Sequence, residues 1–140
     1  MAVEIHKAPE GTHYLAVWSG PISDAEPEFA YRALYDDPEW DPALPVLTDL
    51  SGAELKTLSG GALRRLGVVT DAAMARRGVS PPRSAIFGPE DLRFGIGRMY
   101  TLVRPGDGAN LRVFRDRDAA LTWLLAPASL AQPKPVVSGP

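Results

Sequence analysis

The sequence predicts an α/β protein with a mixed β-sheet of about five strands and about four helices, and three observations carry that expectation. Short apolar runs of strand length recur at Val46-Leu47-Thr48-Asp49-Leu50, Ser84-Ala85-Ile86-Phe87 and Leu111-Arg112-Val113-Phe114. A helical pattern follows each run, and alternation of this kind implies parallel strands joined by right-handed crossovers. Only the turn Pro9-Glu10-Gly11 separates the first two strand-like runs, which makes them an antiparallel hairpin at one side of the sheet.

Each element has a local reason. Val3 to Lys7 reads as a short strand, and Thr12 to Trp18 as a second that closes at Gly20-Pro21. Ser23-Asp24-Ala25-Glu26 is a capping-box pattern, serine followed three residues later by glutamate. It opens a helix expected to bury Phe29, Ala30, Ala33 and Leu34. Pro27 is tolerated there because first-turn amides have no helical acceptor. The helix stops before Pro38, and an acidic loop from Asp36 to Pro45 carries Trp40 back against the core. That loop lacks the ligand spacing and central glycine of a calcium loop.

The strand Val46 to Leu50 follows, then Ser59-Gly60-Gly61 opens a second helix. Its apolar face is Leu63, Leu66, Val69, Ala73 and Met74, and Gly78 is a natural stop after Arg76-Arg77. Pro81-Pro82 turns the chain into the strand Ser84 to Phe87. Gly88-Pro89-Glu90-Asp91 starts a third helix, with acids in its first turn. Leu92, Ile96, Met99, Tyr100 and Val103 form its expected stripe, ended by Pro105-Gly106-Asp107-Gly108. Leu111 to Phe114 is the last strand, and Asp116 caps a helix bearing Ala120, Leu121, Trp123 and Leu124. One domain is expected over residues 1–125, with a disordered Pro/Ala/Ser-rich tail over 126–140.

Composition narrows the functions. A chain of 140 residues can bury about 68% of its unfolded surface in one core. A net charge of -2, from 15 basic and 17 acidic residues, gives no reason to expect nucleic acid as a partner. The absence of cysteine excludes disulfides, thiolate metal sites and a cysteine nucleophile. No signal segment and no run near the ~20 apolar residues of a membrane span appear, so the expected location is cytoplasmic. The two histidines, His6 and His13, have no acid pattern beside them that would make a metal site or a triad. No phosphate-binding or dinucleotide glycine motif is present. An enzyme is not expected, and neither is a cofactor.

Three stretches carry a family resemblance. They are Val46-Leu47-Thr48-Asp49-Leu50, then Phe94-Gly95-Ile96-Gly97-Arg98-Met99-Tyr100, then Val113-Phe114-Arg115-Asp116 with Ala119-Ala120-Leu121-Thr122-Trp123-Leu124. With the order of elements, they resemble the STAS domains, and especially the SpoIIAA-like (STAS/SEC14-like) group of small bacterial proteins, over roughly residues 3–125. The resemblance implies a STAS/SpoIIAA-like fold and a non-enzymatic regulatory or interaction module. Its partner would be a protein of unknown identity, with a homodimer plausible on fold grounds. The alternative is a carrier or sensor of a small apolar or lipid-like ligand.

The phosphorylated antagonists of that group carry an Asp-Ser-Ser-Gly turn where their second helix starts. Here the turn falls on Thr57-Leu58-Ser59-Gly60, so Ser59 matches the modified serine while Thr57 and Leu58 depart from the pattern. Ser59 is therefore the candidate phosphorylation site. Phosphate at a helix start would meet the positive end of the dipole and free amides. The plainer reading of Ser59 is an N-cap. Asp49, Ser51, Gly60, Gly97 and Arg98 are candidate ligand or partner contacts. Against this, Asp49 also suits capping of a neighbouring loop, Gly95 and Gly97 suit close packing on the sheet, and Arg98 suits a solvated surface.

Overall fold

In the computed structural model, which describes residues 2–103 and 110–127, the chain runs β1 (Val3–Lys7), β2 (Tyr14–Pro21), α1 (Ala25–Asp36), β3 (Val46–Glu54), α2 (Gly60–Arg77), β4 (Ser84–Phe87), α3 (Asp91–Val103), β5 (Leu111–Phe114) and α4 (Arg117–Leu125). The strands lie in sequential order in one sheet. β1 pairs antiparallel with β2, and β2 to β5 pair in parallel. The expected hairpin and parallel half are both present. Gly11 makes the hairpin turn at φ 74°, a backbone that other residues rarely adopt, with its amide bonded to the Ala8 carbonyl at 2.8 Å.

Alternation along the strands divides the core between two faces. On the front, Trp18, Leu50, Ile86 and Leu111 pack against Tyr31 of α1 and Leu63 and Leu66 of α2. On the back, Leu47 and Ala85 pack against Ala120, Trp123 and Leu124 of α4. α1, α2 and α3 thus layer one face, and α4 covers the other. Arg83 ties α4 down by donating to the carbonyls of Trp123 (3.3 Å) and Ala126 (2.6 Å) at its C-terminal end.

Five expectations need correction. β2 begins at Tyr14 and runs through Gly20-Pro21, with a register shift between Val17 and Ser19; β3 continues past Leu50 to Glu54 because residues 52–54 pair with 19–21. α1 buries Pro27 and Tyr31, flanked by Ala30, Leu34 and Tyr35, and leaves Phe29 63% exposed. The face with two tyrosines wins because it buries more aromatic surface while their hydroxyls reach Thr48 and Thr70. At the start of α1 half of the capping box forms: Glu26 accepts the Ser23 N–H at 2.7 Å, but no side chain caps the first amides.

The stripe of α3 is also rotated. Ile96, Gly97 and Tyr100 face the sheet, while Leu92 and Met99 are 57% and 40% exposed and Leu102 is exposed as well. The cause is a close helix-to-sheet approach. A Cβ at Gly97 would meet Val113 Cγ1 at 2.9 Å and Ile86 Cγ2 at 3.1 Å, so only glycine lets α3 settle this deep. Gly95 has nothing within 4 Å and serves no such packing. The side chain of Val103, the 105–108 stop and the 128–140 part of the expected tail lie outside the described residues.

Candidate functional site

Two places combine unusual polar geometry with access. The first is the junction from β3 to α2. Ser59 has an extended backbone (φ -93°, ψ 158°) and is the N-cap of α2, its Oγ accepting the Ala62 N–H at 3.1 Å. The same serine is held from the other side by Asp24. The Ser59 N–H donates to Asp24 Oδ1 at 2.8 Å and the Ser59 hydroxyl donates to Oδ2 at 2.7 Å.

Asp24 sits at the N-cap position of α1 yet caps nothing there; its carboxylate crosses to Ser59 instead. This follows from topology: β2 and β3 are parallel neighbours, so the loops leaving their carboxyl ends lie side by side. Bonding from the Ser59 backbone N–H, then from its hydroxyl, holds the Asp24 carboxyl below its ordinary range, with Arg65 adding to the effect. Arg65 is itself paired to Glu28 at 2.9 Å. Sequence reasoning missed Asp24, reading it as part of a local capping box.

The residues beside Ser59 explain the departures from the phosphorylated turn. Leu58 is buried in the core, and Thr57 donates its hydroxyl to the Ile22 carbonyl at 3.0 Å. Both are structural. Gly60 lies close to α3, since a Cβ there would stand 3.8 Å from Met99 Sδ.

The other candidates do not join this cluster. Asp49 Oδ1 accepts both the N–H (2.8 Å) and the hydroxyl (2.7 Å) of Ser51, a local turn that occupies both residues. Arg98 is exposed on α3, and Gly97 is packed on the sheet. Among the described residues no group of three or more His, Asp or Glu could hold a metal ion. His13 is buried and meets Thr12 Oγ1 at 2.8 Å; burial pushes its pKa down, against the opposing pull of Glu10.

The second place is a cavity between α2 and the sheet, with about 80 Å³ of room for water-sized contents. Its walls include Trp18, Tyr31, Thr48, Leu63, Leu66 and Gly97. Pro81 is the exposed residue of the lining, so the opening lies at the turn before β4, on the amino edge of the parallel strands. Inside, the Tyr31 and Thr48 hydroxyls pair at 3.0 Å, and burial pushes the Tyr31 pKa up to about 12. The Trp18 indole N–H stands towards the same tyrosine and opposes that rise, after Thr48, and Nε1 is itself out of solvent.

No family model matches the chain. No curated protein matches it either. Among solved structures, it is similar to an uncharacterized protein from the DUF3478 family with a SpoIIAA-like fold from Shewanella loihica PV-4. The two share 21% sequence identity at a TM-score of 0.53, over 88% of this chain and 92% of that one. With its mixed five-stranded sheet and four described helices, the chain has the SpoIIAA-like α/β fold that its three sequence stretches suggested.

Proposed function

We propose that the protein is a non-catalytic, cytoplasmic regulatory module that binds a protein partner through the surface formed by the start of α2 and the outer face of α3. One observation carries this reading: exposed Ser59, clamped by Asp24, adjoins an exposed apolar stripe. Leu92, Gly95, Met99 and Leu102 follow one another at helical spacing on the exposed face of α3, and Met99 reaches Gly60. Apolar side chains grouped on a solvated helix face are the usual mark of a docking surface.

Phosphorylation would act on the same place. A phosphoserine at position 59 carries about -1.5 to -2 charge and would stand where the hydroxyl now donates to a carboxylate. Like-charge repulsion would break the Asp24 clamp and free the start of α1 from the start of α2. The phosphate would keep the favourable helix terminus and the nearby Arg65. The partner surface changes without any change of fold.

Native mass spectrometry of the protein from its own cells tests both parts. The expected spectrum has a partner at fixed stoichiometry, lost in Leu102→Arg, and a phosphorylated fraction lost in Ser59→Ala. A protein that is monomeric and unmodified in every growth condition would overturn the reading. A homodimer that survives Leu102→Arg would place the interface elsewhere.

A further inference from the structure

The outer face of α3 carries one residue that packing within the molecule does not explain. Gly95 sits in mid-helix, where glycine is poorer than every residue but proline. Gly97 has its reason in the close approach to Val113 and Ile86, but a Cβ at Gly95 would have nothing within 4 Å. Gly95 is exposed, with Leu92 three residues before it and Met99 and Leu102 four and seven after, all exposed. At helical spacing these side chains ring a bare spot, a shallow hole with apolar walls. Two arginines flank it. Arg98 is exposed on α3, three residues after Gly95. Arg64 is exposed on α2, one turn after Gly60, the residue beside Met99. Neither has an ion pair among the described residues. The acids nearby are occupied: Glu90 pairs with Arg93, Asp91 with Arg115, and Asp24 holds Ser59.

Resting on the docking reading above, we infer that the partner presents an acidic amphipathic helix, with a large apolar side chain seated over Gly95 and carboxylates beside Arg64 and Arg98. The hole suits a helix because a helix delivers side chains at the spacing of Leu92, Met99 and Leu102, and the missing Cβ lets it come close. The arginines set the charge: carboxylates across the rim speed docking, and basic partners are repelled. The same charges dismiss two nearer occupants. Residues 126–140 contain no Asp or Glu, and their one charged side chain is Lys134. A second copy docking by this face would set Arg64 and Arg98 against their own counterparts.

Two labelled synthetic peptides of about 18 residues, long enough to form a helix, test it. Both carry the same leucine stripe at helical spacing; one has glutamate on its polar face and the other lysine. Binding is read by fluorescence anisotropy and by the amide shifts of Gly60, Gly61 and Gly95 in NMR spectra. The glutamate peptide is expected to shift those amides saturably and to bind about tenfold more tightly than the lysine peptide. Arg64→Glu combined with Arg98→Glu is expected to reverse that preference. Gly95→Leu is expected to abolish binding while raising the melting temperature of the free protein, so the loss is not one of folding. Equal binding of the two peptides would overturn the acidic partner and leave the docking surface standing. Binding that survives Gly95→Leu would overturn the seat over Gly95. No binding of either peptide would overturn the inference, and the docking reading falls with it only if native mass spectrometry also finds no partner. Sedimentation with vesicles of phosphatidylcholine and phosphatidylserine, without peptide binding, would replace the acidic helix by a membrane surface.

Discussion

Ser59 and Trp18 lie along the same α2-to-sheet layer and handle their polar atoms in opposite ways. Ser59 keeps its hydroxyl in solvent and bonded on both sides, to Asp24 and to the Ala62 amide. Trp18 keeps its N–H out of solvent and unbonded. The junction belongs to the carboxyl edge of the strands, where the sequence pointed, and the cavity opens at the amino edge, where it did not. An exposed, satisfied cluster can be altered at little cost to folding, which suits a surface that is modified. A buried one is maintained by the packing around it, at a cost to folding.

Stability should therefore separate the two regions. The largest effect is expected at Leu66, 5% exposed on the cavity wall. Leu66→Ala should lower unfolding free energy by about 2–5 kcal/mol in urea melts, because it removes buried methyl groups and enlarges a space that does not collapse. A loss no greater than that of a surface substitution would mean that the wall is slack and the cavity not preformed.

Next comes alkaline pH. Tyr31 is raised to about 12 by burial, above its ordinary value of 10.0. A raised pKa means that the native state holds its proton longer than the unfolded chain does. The contribution is whole below pH 10 and is lost as pH rises toward 12. By pH 12 the loss should be about 2 kcal/mol, absent in Tyr31→Phe, as read by stability measured across that range. Equal alkaline losses in both proteins would show that other groups dominate.

The difference between the regions also explains what could be read from the sequence. Every strand and helix was legible, and so were the Ser59 cap and the Gly78 stop, because each rests on neighbours in the chain. The orientation of helices was less so. α1 offered two apolar faces, and the choice fell to hydroxyl partners on β3 and α2. Gly88 reads in sequence as a helix start, yet a Cβ there would meet the Arg93 carbonyl carbon at 2.7 Å, because the chain passes close over the first turn of α3. Asp24 and Ser59 are 35 residues apart, and nothing local joins them. The Trp18 cavity is a property of packing and leaves no motif.

A smaller effect is expected at Ser59 itself. Ser59→Ala removes an N-cap and should cost about 1 kcal/mol, against about a few tenths for Ser59→Gly. Retained stability in Ser59→Ala would mean that the Asp24 contact to the backbone N–H carries the junction alone.

The smallest effect is on Asp24 and acid, and it divides the clamp between its two bonds. A lowered carboxyl pKa means that the native state stays ionised longer, so the stabilisation is complete above the unfolded value of 3.8 and fades as pH falls through the folded one. The backbone N–H of Ser59 is the larger cause and the hydroxyl the lesser. In Ser59→Ala the backbone donor remains, so the Asp24 titration followed by carboxyl NMR should move only part of the way back toward 3.8. Full return would show that the hydroxyl sets the geometry for both bonds. A phosphate on that hydroxyl would then release Asp24 entirely, and the start of α1 with it. An unchanged titration would leave the hydroxyl free for modification without consequence for Asp24, and the proposed coupling between the two helix starts would fail.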